Sequence, residues 1–110
     1  MLALSPFIAH RGTRVLAPEN TMSAFAVAHQ YGATWLECDL QLSKDGEVVI
    51  FHDENLARTS NGIGLLTEWD SLHLSKLDVG SWFKSSFAGE RMPTLSQLLL
   101  FAKITNMGLN

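Results

Sequence analysis

The chain has 110 residues, with eight Lys or Arg against eleven Asp or Glu and a formal charge of −3. A hydrophobic share of 46 % excludes a disordered chain, and the absence of a basic surplus argues against a nucleic-acid partner. The single Cys38 excludes an internal disulfide, and no apolar run approaches the ~20 residues of a membrane span.

Met1 to Ala9 has no basic region, and Pro6 interrupts its apolar stretch, so it makes a poor signal peptide. The setting expected is soluble, reducing and cytoplasmic. Pro6 to Ala9 predicts a buried strand that runs into a loop at His10, Arg11 and Gly12. Asn20 or Thr21 then caps a helix from Met22 to Tyr31, with Met22, Phe25, Ala26, Ala28 and Tyr31 on one face and Gly32 closing it. Thr34 to Leu42 alternates as a strand. Trp35, Glu37, Asp39 and Gln41 face one way, and Leu36, Cys38, Leu40 and Leu42 the other. Asp45-Gly46 predicts a two-residue hairpin loop into a second strand, Glu47 to Phe51. Thr59, Ser60, Asn61, Gly62 and Gly64 mark an exposed loop, and Thr67 to Leu77 holds one short helix capped by Thr67. Gly80 to Glu90 is irregular. Pro93-Thr94 opens a last helix bearing Leu95, Leu98, Leu99, Ala102 and Ile104, which Gly108 ends. Leu109-Asn110 begins a further element. The rhythm is α/β with parallel strands.

A two-residue loop pairs Lys44 with Glu47 and therefore Asp39 with His52. Glu37, Asp39 and His52 then converge on one sheet face, and His10 ends the first strand, where α/β sheets place chemistry. Two carboxylates at i, i+2 suit a hard divalent cation such as Mg²⁺ or Ca²⁺. Two His suit acid–base work near neutral pH, and Arg11 suits capture of a phosphate. Together they describe metal-assisted attack on a phosphate ester. Cys38 reads as a small core residue, and Trp35, Trp82 and Phe83 read as packing. His29 and His73 fit helix surfaces and carry no role.

The ordered string His10-Arg11-Gly12, Pro18-Glu19-Asn20-Thr21, Ala24-Phe25, Gly32-Ala33, Glu37-x-Asp39, Lys44-Asp45-Gly46 and His52-Asp53 is continued by Arg58-Thr59, Asn61-Gly62 and Pro93-Thr94-Leu95. It resembles the glycerophosphodiester phosphodiesterase family, cytosolic bacterial type, from Ile8 to Asn110. The resemblance implies a (β/α)₈ TIM barrel with an insertion after the second barrel strand, about residues 53–92. It implies hydrolysis of glycerophosphodiesters to glycerol 3-phosphate and an alcohol. His10 and His52 match the acid–base pair, Arg11 the phosphate-binding arginine, and Glu37 and Asp39 two metal ligands. Asn20, and with it Glu19, matches the support under the site. A third carboxylate and a lysine are implied on the next barrel strand, in a Glu-x-Lys motif beyond Asn110. The chain is therefore expected to be an N-terminal part of a barrel that needs roughly 250 residues, poorly active alone. Two alternatives stand beside this reading: a non-catalytic remnant, or phospholipase D-like action on lysophospholipids. The alcohol group, the metal and the oligomeric state stay open.

Overall fold

The computed structural model describes residues 8–12 and 15–110. The Pro6-Phe7 start of the expected first strand lies outside the described residues. The first described strand, β1, is Ile8–His10. Helix α1, Met22–Gln30, follows, with the Thr21 hydroxyl accepting from the Ala24 amide as N-cap. Strand β2 is Trp35–Glu37, and the chain returns to its edge only at β5, Gly108–Leu109. These three strands form a parallel sheet in the order β1-β2-β5, with Ile8 opposite Trp35, His10 opposite Glu37, and Leu36 opposite Leu109. Backbone bonds from the Asn110 amide to the Leu36 carbonyl and from the Cys38 amide to the Asn110 carbonyl extend the last pairing. The expected parallel α/β rhythm is what the chain adopts.

The alternating stretch Thr34 to Leu42 is not one strand. It breaks after Glu37, and Leu40–Leu42 forms β3, paired antiparallel with β4, Val48–Ile50, in a separate two-stranded sheet. The chain thus leaves the parallel sheet by Leu40. The hairpin loop also differs from expectation. Leu40 lies opposite Ile50 and Leu42 opposite Val48, and the Ser43 amide bonds to the Glu47 carbonyl. Three residues, Lys44, Asp45 and Gly46, make the turn, with Gly46 at φ +85°. This is the pattern of a turn closed by a left-handed glycine, and it moves every partner by one position. The Ser43 side chain selects it, accepting the Glu47 amide and bonding the Asp45 carboxylate, which in turn accepts the Ser71 amide at 2.8 Å and its hydroxyl at 2.7 Å.

Strand β4 is buried on both faces. Ile50 joins Phe25, Ala28, Ala33, Leu36, Leu98 and Met107 in the core shared with α1. Its neighbours Val49 and Phe51 join Leu56, Leu66, Leu74, Leu77, Val79 and Met92 in a second core within the excursion. The period of two along a strand divides them this way. The short helix expected over 67–77 is instead a 3₁₀ turn, Leu66–Glu68, and a one-turn helix α2, Ser71–Leu74, capped by Asp70 rather than Thr67. Thr59 and Ser60 are buried, contrary to an exposed loop, because the Ser60 hydroxyl donates to the Leu56 carbonyl and accepts the Gly62 amide. Asp78 organises 78–89, accepting the amides of Gly80, Ser81 and Gly89 and the Ser81 hydroxyl. Trp82 is not core. It stays 37 % exposed, with its indole N–H on the Val79 carbonyl and its ring edge-on to Phe83.

Helix α3, Leu95–Thr105, carries a full capping box between Thr94 and Gln97. Leu98 and Ala102, four residues apart, bury themselves, while Leu99 and Ile104 are exposed. Tyr31 is exposed as well. Asn106, at φ +57°, ends the helix in place of Gly108. Gly108 instead makes room for Trp35, because a Cβ there would collide with the indole ring across the β2–β5 pair. Gly108→Ala is expected to lower stability by about 1–3 kcal/mol through overpacking, read as a lower urea midpoint with an unchanged slope.

Accepted hydrogen bonds hold the Asp78 carboxyl well below the usual range, and those from Ser43 and Ser71 hold that of Asp45 at about 2. Both folded values lie below the unfolded one of about 3.9, so the stability they confer is present above about pH 4 and lost as pH falls toward 2. Urea midpoints measured across that window are expected to drop, and Asp78→Asn is expected to flatten the drop.

Candidate active site at the carboxyl ends of the parallel strands

The parallel register sets the frame. His10 and Glu37 are the last residues of adjacent strands and lie opposite each other, so the loops after β1 and β2 emerge at one edge. The side chain of His10 lies outside the described residues. Arg11 follows at φ +54°, and its carbonyl accepts the Asn20 amide at 2.8 Å. Asn20 is itself left-handed, at φ +56°, a conformation Asn tolerates better than most residues. Two non-glycine residues in this region, each costing on the order of 1–3 kcal/mol, are bonded to one another at the site.

Asn20 then clasps Asp39 twice. Its amide nitrogen donates to Asp39 Oδ2 at 3.0 Å, and its side-chain oxygen accepts the Asp39 backbone N–H at 3.4 Å. This clasp sits where the chain leaves the parallel sheet between β2 and β3. Arg11 Nε lies 3.5 Å from the same Oδ2. Glu37 is half-buried one residue before Cys38, whose thiol is pushed up to about 11 by burial and then by the charges of Asp39 and Glu37. Cys38 therefore stays a protonated thiol packed against the core.

Glu19 is the buried charge of the site. Its side chain is 6 % exposed and accepts from two guanidinium groups: Arg11 Nη1 at 3.2 Å, and Arg58 Nη1 and Nη2 at 3.1 and 3.0 Å. Arg58 also grips Asp53 with Nε at 2.8 Å and Nη2 at 2.9 Å. Asp53 Oδ1 lies 2.7 Å from His52 Nδ1. The Arg58 side chain, then the bond with His52, hold the Asp53 carboxyl well below the usual range, against the opposing effect of burial.

The shifted hairpin register overturns the pairing of Asp39 with His52. The Phe51 amide bonds the Asp39 carbonyl, so Asp39 opposes Phe51 and His52 lies one residue beyond. His52 and Asp39 are joined instead through side chains, by way of Asp53, Arg58, Glu19 and Arg11. Sequence pattern assigns no role to Asp53 or Arg58. A contact spanning 39 residues, Arg58 to Glu19, leaves no local signal that could reveal it.

Glu37 and Asp39 supply the hard oxygen donors that a divalent cation takes, and the contacts of the Asp39 carboxylate with Asn20 and Arg11 both fall on Oδ2. The donor chemistry fits such a cation. The number is short, since among the described residues no group of three or more His, Cys, Asp or Glu side chains could hold a metal. No helix among the described residues is long and apolar enough to cross a membrane.

The model of the glycerophosphoryl diester phosphodiesterase family matches residues 10–110. A glycerophosphodiester phosphodiesterase of Caldanaerobacter subterraneus is 47 % identical over 91 residues, which is 83 % of this chain and 37 % of that protein. The crystal structure of a glycerophosphodiester phosphodiesterase from Agrobacterium tumefaciens superposes with a TM-score of 0.93 at 37 % identity, over 96 % of this chain and 46 % of that one. An Oleispira antarctica phosphodiesterase, solved in complex with the product sn-glycerol-3-phosphate, also gives 0.93, at 43 % identity, over 97 % of this chain and 43 % of that one. The chain thus spans less than half the length of these relatives. Its open three-stranded parallel sheet corresponds to part of their barrel. The chain belongs to the glycerophosphoryl diester phosphodiesterase family.

Proposed function

We propose that this chain supplies one part of the active site of a metal-dependent enzyme that hydrolyses glycerophosphodiesters to glycerol 3-phosphate and an alcohol. The observation that carries the reading is the shared edge of β1 and β2. There His10 opposes Glu37, while Arg11, Asn20 and Asp39 are locked together by direct bonds. The product bound to the Oleispira relative is of the same chemical class. Substrates are small, soluble deacylated diesters, glycerophosphocholine and glycerophosphoethanolamine first among them. A cytoplasmic setting suits them.

Glu37 and Asp39 would hold Mg²⁺ or Ca²⁺, and such a cation, when bound, neutralises charge on the phosphoryl oxygens. Arg11 offers a fixed guanidinium to the phosphate, its direction set by Glu19. His10 and His52 form the acid–base pair: one removes the proton of the nucleophile, either water or a neighbouring substrate hydroxyl whose product water then opens, and the other protonates the departing alcohol oxygen. His52 Nδ1 faces an ionised carboxylate that can only accept, so Nδ1 carries the proton and Nε2 is the atom available to substrate.

The test is release of glycerol 3-phosphate from glycerophosphocholine by a full barrel that contains residues 1–110. His52→Ala is expected to cut kcat by roughly 100-fold or more, without loss of folding, because the ring is 40 % exposed. Unchanged kcat in that variant refutes the acid–base assignment. Glu19→Ala is expected to cost about 1–3 kcal/mol in unfolding free energy, since it leaves Arg11 Nη1 without its hydrogen-bond partner while half-exposed Arg58 turns to water. Chemical denaturation measures that loss directly.

A further inference from the structure

We propose that Arg58 is a positioning residue that fixes the tautomer and direction of the His52 ring through Asp53, and the direction of Arg11 through Glu19. The inference rests on the functional reading above for the roles of His52 and Arg11, and on contacts alone for the positioning.

The geometry is specific to a guanidinium. Arg58 uses Nε and Nη2 toward Asp53, at 2.8 and 2.9 Å, and Nη1 and Nη2 toward Glu19, at 3.1 and 3.0 Å. Two carboxylates on different segments are thus held by adjacent edges of one rigid fork, which an ammonium cannot reproduce. Asp53 Oδ1 is shared between Arg58 Nη2 and His52 Nδ1. A carboxylate pinned on its other side cannot swing away from the ring, and it accepts only from Nδ1–H. Glu19 Oε2 is shared in the same way between Arg58 and Arg11. Glu19 precedes α1 and Arg58 lies in the excursion after β4, so a single side chain sets two groups carried by separate parts of the fold. Among the described residues no second group duplicates the fork: Asp53 is held by His52 and Arg58, and Glu19 by Arg11 and Arg58.

The imidazole ¹⁵N shifts of His52 in the 110-residue chain report the tautomer without any need for turnover. In the wild-type chain at a pH where the ring is neutral, the Nδ1–H form is expected to dominate. Arg58→Ala and Arg58→Lys are both expected to lose that preference and give a mixture of tautomers, and Asp53→Asn to lose it as well. Guanidinium ion added to Arg58→Ala below denaturing concentrations is expected to restore the Nδ1–H form, a recovery that a merely structural role does not produce. If Arg58→Ala loses its dispersed amide spectrum, Arg58→Lys and Asp53→Asn carry the test. A wild-type-like tautomer in the folded Arg58 variants overturns the proposal. In a full barrel containing residues 1–110, Arg58→Lys is expected to lower kcat about 10- to 100-fold with little change in KM. A tautomer that shifts as expected while His52→Ala keeps full activity leaves the positioning intact and refutes the acid–base role instead.

Discussion

A buried carboxylate cannot stay ionised without compensation, and Glu19 is the place where this chain meets that demand. Its compensation comes from Arg11 on one side and Arg58 on the other. Arg11 belongs to the loop after β1, and Arg58 to the excursion after β4. The requirement to neutralise one charge therefore ties the barrel-like part of the fold to the segment that leaves it. The side chains assigned to chemistry hang from the ends of this tie, with Asp39 at one end and His52 at the other.

The second constraint is the exit from the parallel sheet. A strand that continued past Glu37 would carry Cys38 to Leu42 straight on in the parallel sheet. Asn20 prevents this by bonding both the backbone and the carboxylate of Asp39. The chain turns there into an antiparallel hairpin, and β4 becomes the wall between two apolar clusters. Packing and the proposed site share the same few residues, and the two left-handed non-glycine positions, Arg11 and Asn20, are held against each other there.

The N-caps of the two longer helices are legible in the sequence because they depend on residues three or four apart. Thr21 caps α1 and Thr94 caps α3, and both follow from local chemistry. Local pattern misleads where a particular contact in the folded chain overrides it. Gly108 looks like a helix stop, yet its lack of a side chain serves contact with Trp35, 73 positions earlier. Thr59 and Ser60 look like solvent-facing loop residues, yet both are buried, with the Ser60 hydroxyl held by the backbone of Leu56. Asp45-Gly46 signals a turn correctly, but the Ser43 side chain selects the three-residue form.

By itself the sequence determined the parallel α/β order and the two longer capped helices, because periodicity and capping are local properties. Its motifs also identified the family. Tertiary structure alone decided the hairpin register, the break between β2 and β3, and the path from Asp39 to His52. The register turns on Ser43 together with the Asp45 contact to Ser71, and the other two rest on contacts between residues tens of positions apart, such as Asn20 with Asp39 and Glu19 with Arg58, whose pairing is settled only when burial makes each partner necessary to the other.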